Sequence, residues 1–155
     1  MKTFSFFVKD KSETKQLAQQ MAGFIQAPCW VSLKGQLGAG KTTFTRYLLG
    51  AMGHEGNVKS PTYSLIECYD LTHQKFYHMD LYRVADAEEL EYLGIRDYQQ
   101  KDSIAFVEWA EKGAGFLPKF DISIEIKMNQ LQRHFIVSAL SEKGTKMVKK
   151  LALIK

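Results

Sequence analysis

Cysteine is scarce in this chain. Cys29 and Cys68 are the two among 155 residues, they sit far apart, and no C-x-x-C pair occurs, which argues against a disulfide framework, a structural zinc site or a redox dithiol. Each falls in a stretch that reads as a strand, so both are expected to be buried free thiols. Proline, at three residues, is sparse as well, and no Pro- or Gly-rich tract separates one part of the chain from another. No apolar run approaches the roughly 20 residues that a membrane-spanning helix needs. Met1 to Phe7 is followed by Lys9, Asp10 and Lys11 rather than by a cleavage site. These absences predict a soluble intracellular protein with no membrane partner. Charge is nearly balanced: 21 basic against 17 acidic residues leave a net +4, compatible with a nucleic-acid partner and equally with a solvated surface. Lys143, Lys146, Lys149 and Lys150 cluster near the C-terminus without the aromatic interleaving of an RNA-binding surface.

What is present is a core and a loop. With 45% hydrophobic residues, the chain can bury one ordinary core, and residues 1–155 read as a single domain. Within it, Gly35-Gln36-Leu37-Gly38-Ala39-Gly40-Lys41-Thr42 matches the phosphate-binding pattern G-x-x-x-x-G-K-T. Its glycines let successive backbone N–H groups turn inward toward phosphate oxygens. Lys41 supplies a mobile cation for the terminal phosphates, and the Thr42 hydroxyl is placed to ligand magnesium. The nucleotide contacts expected here are Gly35, Gly38, Ala39, Gly40, Lys41, Thr42 and Thr43. The context fits, because Cys29 to Leu33 reads as an apolar strand entering the loop. Phe44, Leu48, Ala51 and Met52 recur at helical spacing after it, predicting a helix over 42–52 whose N-terminus faces the same phosphates.

The rest of the chain alternates between the two periodicities. Thr3 to Phe6 suggests a strand; Ser12 followed by Glu13, Leu17, Ala18, Met21, Ala22 and Ile25 suggests a capped amphipathic helix that Pro28 stops. Tyr63–Tyr69 and Phe76–Tyr82 read as a hairpin around Leu71-Thr72-His73-Gln74, and Asp86 to Leu93 as a short acidic helix ended by Gly94. Ile104-Ala105-Phe106-Val107 suits a strand buried on both faces. Asp121–Met128 and Phe135–Ala139 suggest an antiparallel pair, and residues 146–155 fit either strand or helix. The expected fold class is α/β, a P-loop NTPase-like mixed parallel and antiparallel sheet flanked by helices.

Such a loop works with a carboxylate at the end of a neighbouring strand. Glu108, after four apolar residues, is assigned to the metal together with Thr42. Asp80, ending Phe76 to Met79, is assigned to catalysis with Lys41, orienting the attacking water or a magnesium-bound water. The reverse assignment of the two acids also stands. Thr62, in Lys59-Ser60-Pro61-Thr62-Tyr63, lies where nucleotide hydrolases place a segment that senses the terminal phosphate, although a Ser-Pro turn accounts for the same residues. Trp109 is read as a core aromatic before a surface one, and His78 and His134 as ordinary strand residues.

Taken together, the 35–43 loop, Ser60-Pro61-Thr62-Tyr63, His78-x-Asp80-Leu81-Tyr82-Arg83 and Val107-Glu108-Trp109 resemble the motifs of the TsaE family, also called YjeE. These are small bacterial ATPases required for threonylcarbamoyl modification of tRNA. Gln36, Tyr63 and Ala110 depart from the residues usual there, outside the phosphate and metal contacts. The resemblance adds Arg133 and the Ser12 to Thr14 segment as candidate nucleotide neighbours. It implies a cytoplasmic protein that binds ATP and magnesium, hydrolyses ATP slowly alone and works with TsaB and TsaD, reaching tRNA through them. Two other readings compete: a small-molecule kinase, for which Arg83 and Arg96 are too isolated to form a lid, and a non-hydrolysing nucleotide-switch binding module. No N-K-x-D guanine motif occurs.

Overall fold

The computed structural model of the protein describes residues 2–153. Alternation at the N-terminus produces β1 (Thr3–Val8), and the first amphipathic stretch produces α1 (Lys11–Ala22). The cap of α1 is Asp10 rather than Ser12. Asp10 has extended backbone, its carboxylate accepts from Glu13 N at 2.9 Å, and Glu13 returns the bond by accepting from Lys9 N at 2.9 Å.

The apolar run ahead of the loop becomes β2 (Cys29–Gly35), and the helix after it, α2, covers Lys41–Ala51. The hairpin consists of β3 (Ile66–Asp70) and β4 (Lys75–Asp80), closed by Leu71 N donating to Gln74 O. β3 starts three residues later than its sequence suggests. Residues 61–64 form a turn closed by Leu65 N donating to Pro61 O, and Leu65 is left-handed at φ 73°. α3 (Glu89–Tyr92) is a single acidic turn before the left-handed Gly94. β5 (Ser103–Glu108), β6 (Ile122–Asn129) and β7 (Gln132–Ala139) follow, then α4 (Glu142–Val148) and a 3₁₀ turn over Lys149–Leu153. Helix therefore wins the segment that sequence left open; its last two residues, Ile154 and Lys155, lie outside the described residues.

One seven-stranded sheet results, in the order β1-β7-β6-β2-β5-β4-β3. β6, β2, β5 and β4 are parallel and central, with antiparallel strands at both edges. Parallel strands are buried on both faces, and β5 shows it: each of its residues is buried. On one face, α2 and the C-terminal turn bring Phe44, Leu48 and Leu151 into one core with Val31, Leu33, Phe76 and Phe106 of the sheet, beside α1. On the other, Trp30, Met79, Ala105 and Val107 pack beneath Leu90 and Ile95. Asp121 ties β2 to the start of α4. It accepts from Trp30 N and Ser141 Oγ at 3.0 and 2.7 Å, and Lys143 sits 3.6 Å away.

The two thiols differ, contrary to the expectation that both are buried. Cys29 is buried in β2, but Cys68 is exposed because β3 is an edge strand. Burial, followed by the negative charge of Asp121, pushes the Cys29 thiol up to about 12. The native protein is therefore expected to take up one equivalent of iodoacetamide at pH 8, at Cys68, and a second only after denaturation. Mass spectrometry of the alkylated protein checks this.

Candidate functional site

The phosphate loop leaves β2 at Gly35 and enters α2 at Lys41. Gly38 and Gly40 take φ of 83° and 107°, the left-handed region where a side chain is strained, so these two glycines make the curl possible. Ala39 N donates to Gln36 O at 3.0 Å, and Phe44 N to Gly40 O at 2.8 Å opens the helix. The amides of the first helical turn have no intrahelical acceptor, which makes this helix start a place for anions.

Parallel pairing brings the acids to this edge. β5 lies directly beside β2 and β4 beside β5, so all three strands end on the loop side, with Glu108 in register with both Leu33 and Asp80. Glu108 is 4% exposed and has a different partner on each oxygen. Lys41 Nζ lies 3.3 Å from Oε1 and His78 Nε2 lies 2.6 Å from Oε2; Lys41 also donates to Gly35 O at 2.5 Å. Burial alone would push the Glu108 carboxyl up. The hydrogen bond from His78, followed by the Lys41 ammonium, outweighs it and holds the group below its ordinary value.

Asp80 is buried as well and turned toward the switch-like segment. Its Oδ1 accepts from Tyr82 N at 2.9 Å and its Oδ2 from Thr62 Oγ1 at 3.5 Å, while Thr62 and Ser60 share a 2.7 Å bond. A cleft of about 500 Å³ joins these pieces, lined by Leu37, Gly38 and Gly40 to Thr43 of the loop together with Ser60, Thr62, Asp80, Tyr82, Glu108 and Trp109. The structure thus brings together Lys41, Thr42, Thr43, Thr62, Asp80 and Glu108. Magnesium bound with phosphates and waters asks for only one or two protein oxygens. The Thr42 hydroxyl and a charged carboxylate on the same cleft fit that demand, and among the described residues no cluster of three His, Cys, Asp or Glu offers another metal cage.

Arg133 is not in this cleft. It reaches from β7 to the back of the loop, donating from Nε to Ala39 O at 2.9 Å and from a terminal nitrogen to Gly38 O at 3.5 Å. Arg133 thereby holds two loop carbonyls in place. It also lines a second cleft of about 460 Å³ with Lys9, Lys11, Thr14, Gly38 and Thr43, so the Thr14 end of the early segment does approach the loop. Arg133→Ala is expected to loosen the loop and weaken nucleotide binding about tenfold, the worth of one charge-assisted hydrogen bond, without unfolding the protein; calorimetric titration with MgATP measures it.

Two residues differ from their sequence reading. Trp109 is not in the core. It takes a left-handed backbone at φ 57° where β5 ends, which throws its ring outward to 41% exposure against Tyr82, 5.0 Å between centroids. Leu37, at the loop tip, is 97% exposed beside the same opening. His78, read as an ordinary strand residue, is the buried partner of Glu108. Its signal was present in the period of two, which places His78 and Asp80 on one face of β4. No helix among the described residues is long and apolar enough to cross a membrane.

Comparison with known proteins agrees with this arrangement. The family model described as "Threonylcarbamoyl adenosine biosynthesis protein TsaE" matches residues 8–135. A Haemophilus influenzae relative, the tRNA threonylcarbamoyladenosine biosynthesis protein TsaE, is 51% identical over 118 residues, 76% of this chain and 75% of its own. The Bacillus subtilis protein of the same name is 37% identical over 127 residues, 82% and 79% of the two chains. The crystal structure of Bacillus subtilis YdiB superposes with a TM-score of 0.83 at 28% identity, covering 98% of this chain and 95% of the other.

Proposed function

The chain belongs to the TsaE family, P-loop nucleotide-binding proteins of tRNA threonylcarbamoyladenosine biosynthesis, and from that premise we propose that it is a magnesium-dependent ATPase, slow alone, that acts in the cytoplasm with TsaB and TsaD. One observation carries the reading: Glu108 sits 3.3 Å from Lys41 at the floor of the loop cleft, with Asp80 beside it on the neighbouring parallel strand. Phosphates seated on the loop amides meet the Lys41 ammonium and the N-terminus of α2. Thr42 and Glu108 are the residues that would hold magnesium, which when bound neutralises charge on the terminal phosphates. Asp80, tied to Thr62, orients the attacking water, and the Thr62 hydroxyl links its carboxylate to the segment that senses the terminal phosphate.

Positioning and charge neutralisation suffice for phosphoryl transfer to water. Here Lys41, Thr42, Thr62 and the two acids are among the groups lining the cleft, and among the described residues no arginine lines it. A site without an arginine finger is expected to turn over slowly until a partner completes it. The exposed Trp109, Tyr82 and Leu37 around the opening are the surface on which TsaB or TsaD would register nucleotide state. The experiment is co-purification with TsaB and TsaD, with and without ATP. Nucleotide-dependent association supports the proposal, and its absence would leave a generic nucleotide-binding protein. Substituting Trp109 should leave ATP affinity intact and impair partner-stimulated turnover.

A further inference from the structure

His78 is a polar side chain in a place that favours apolar ones. It is 0% exposed, pairs in register with Phe106 of β5, and has its Nδ1 buried without a hydrogen-bond partner. Burying such a ring with half its hydrogen-bonding capacity unmet is costly, so a role at its other nitrogen is the natural account. Because Nδ1 meets no donor or acceptor, the ring proton belongs on Nε2, the atom 2.6 Å from Glu108 Oε2. Nε2–H donates and the carboxylate accepts. Glu108 then has one oxygen committed to the core and the other, Oε1, facing Lys41 and the cleft.

We propose that His78 is a positioning residue for ATP hydrolysis: by fixing Oε2 it leaves Oε1 as the single oxygen through which Glu108 addresses the metal. Without that bond the carboxylate is free to rotate and offer both oxygens to Lys41. The inference rests on the reading of Glu108 as a working group of the site, and it narrows that group to one oxygen and one orientation.

The test compares full-length wild type with His78→Phe, His78→Gln and Glu108→Gln. In single-turnover hydrolysis, His78→Phe is expected to slow the reaction about 10–100-fold, the usual loss when the partner orienting a ligand is removed, with MgATP affinity nearly unchanged. His78→Gln, whose side-chain amide can donate from about the position of Nε2, should recover most of the rate. Nitrogen-15 NMR of the imidazole in metal-free, nucleotide-free protein should show Nε2 protonated and Nδ1 bare, a readout independent of turnover and of whether His78→Phe folds. A wild-type rate in His78→Phe with a slow Glu108→Gln would overturn the His78 inference and leave the role of Glu108 standing. A wild-type rate in Glu108→Gln would overturn both. Equal losses in His78→Phe and a folded His78→Gln, or a proton found on Nδ1, would also contradict the positioning role.

Discussion

Lys41→Ala should weaken MgATP binding about 100-fold, which two lost charge-assisted contacts of about 1.5 kcal/mol each would produce. The lysine lines the cleft, with Nζ bonded to Gly35 O and 3.3 Å from Glu108. Its removal also strips Glu108 of its ammonium neighbour and leaves His78 as the remaining group holding that carboxyl down, so the variant's carboxyl should titrate higher than in wild type. Lys41→Arg is not expected to substitute, since a planar fork does not occupy the place of a compact ammonium wedged beside a carbonyl. Calorimetric titration with MgATP measures the loss; wild-type affinity in Lys41→Ala would mean that phosphates bind elsewhere.

Glu108→Ala should bind MgATP and fail to hydrolyse it, with turnover reduced by about 10²–10⁴, the range for losing a positioned carboxylate in proton transfer or charge organisation. Asp80→Ala should reduce turnover too, and magnesium titration separates the two acids. The variant whose residual activity needs much more magnesium has lost the metal ligand, expected to be Glu108. The same carboxylate leaves a mark on stability. Its folded pKa lies below the ordinary 4.5, so its contribution is complete above that pH and is lost as pH falls through the lowered folded value. Urea unfolding from pH 7 down to pH 3 should therefore show a shallower acid decline in Glu108→Gln than in wild type. Normal hydrolysis in both acid variants would contradict the site.

The parts of the site that sequence revealed are those whose chemistry is local. The loop declares itself because its glycines, Lys41 and Thr42 serve the same few atoms. β5 declares itself through an apolar run that only a doubly buried strand tolerates, which is why Glu108 at its end could be picked out. What sequence did not reveal depends on pairing between distant strands. His78 looks idle until β4 and β5 are set in parallel and Glu108 arrives beside it. Arg133, a nucleotide neighbour by resemblance, is set behind the loop by β7, where it also holds the carbonyls of Gly38 and Ala39. Trp109 follows four core residues and a glutamate and reads as one more; a left-handed turn at that residue, invisible in composition, sends it to the surface. Likewise Cys68 alternates as a strand residue should, and only the sheet order exposes it.

Phosphate release from MgATP by the purified protein, alone and then with TsaB, TsaD and tRNA, tests the central claim most directly. The geometry predicts slow release alone, a clear acceleration once both partners are present, and no acceleration when Glu108→Ala replaces the wild type. A rate that TsaB and TsaD leave unchanged, or one that Glu108→Ala sustains, would contradict it.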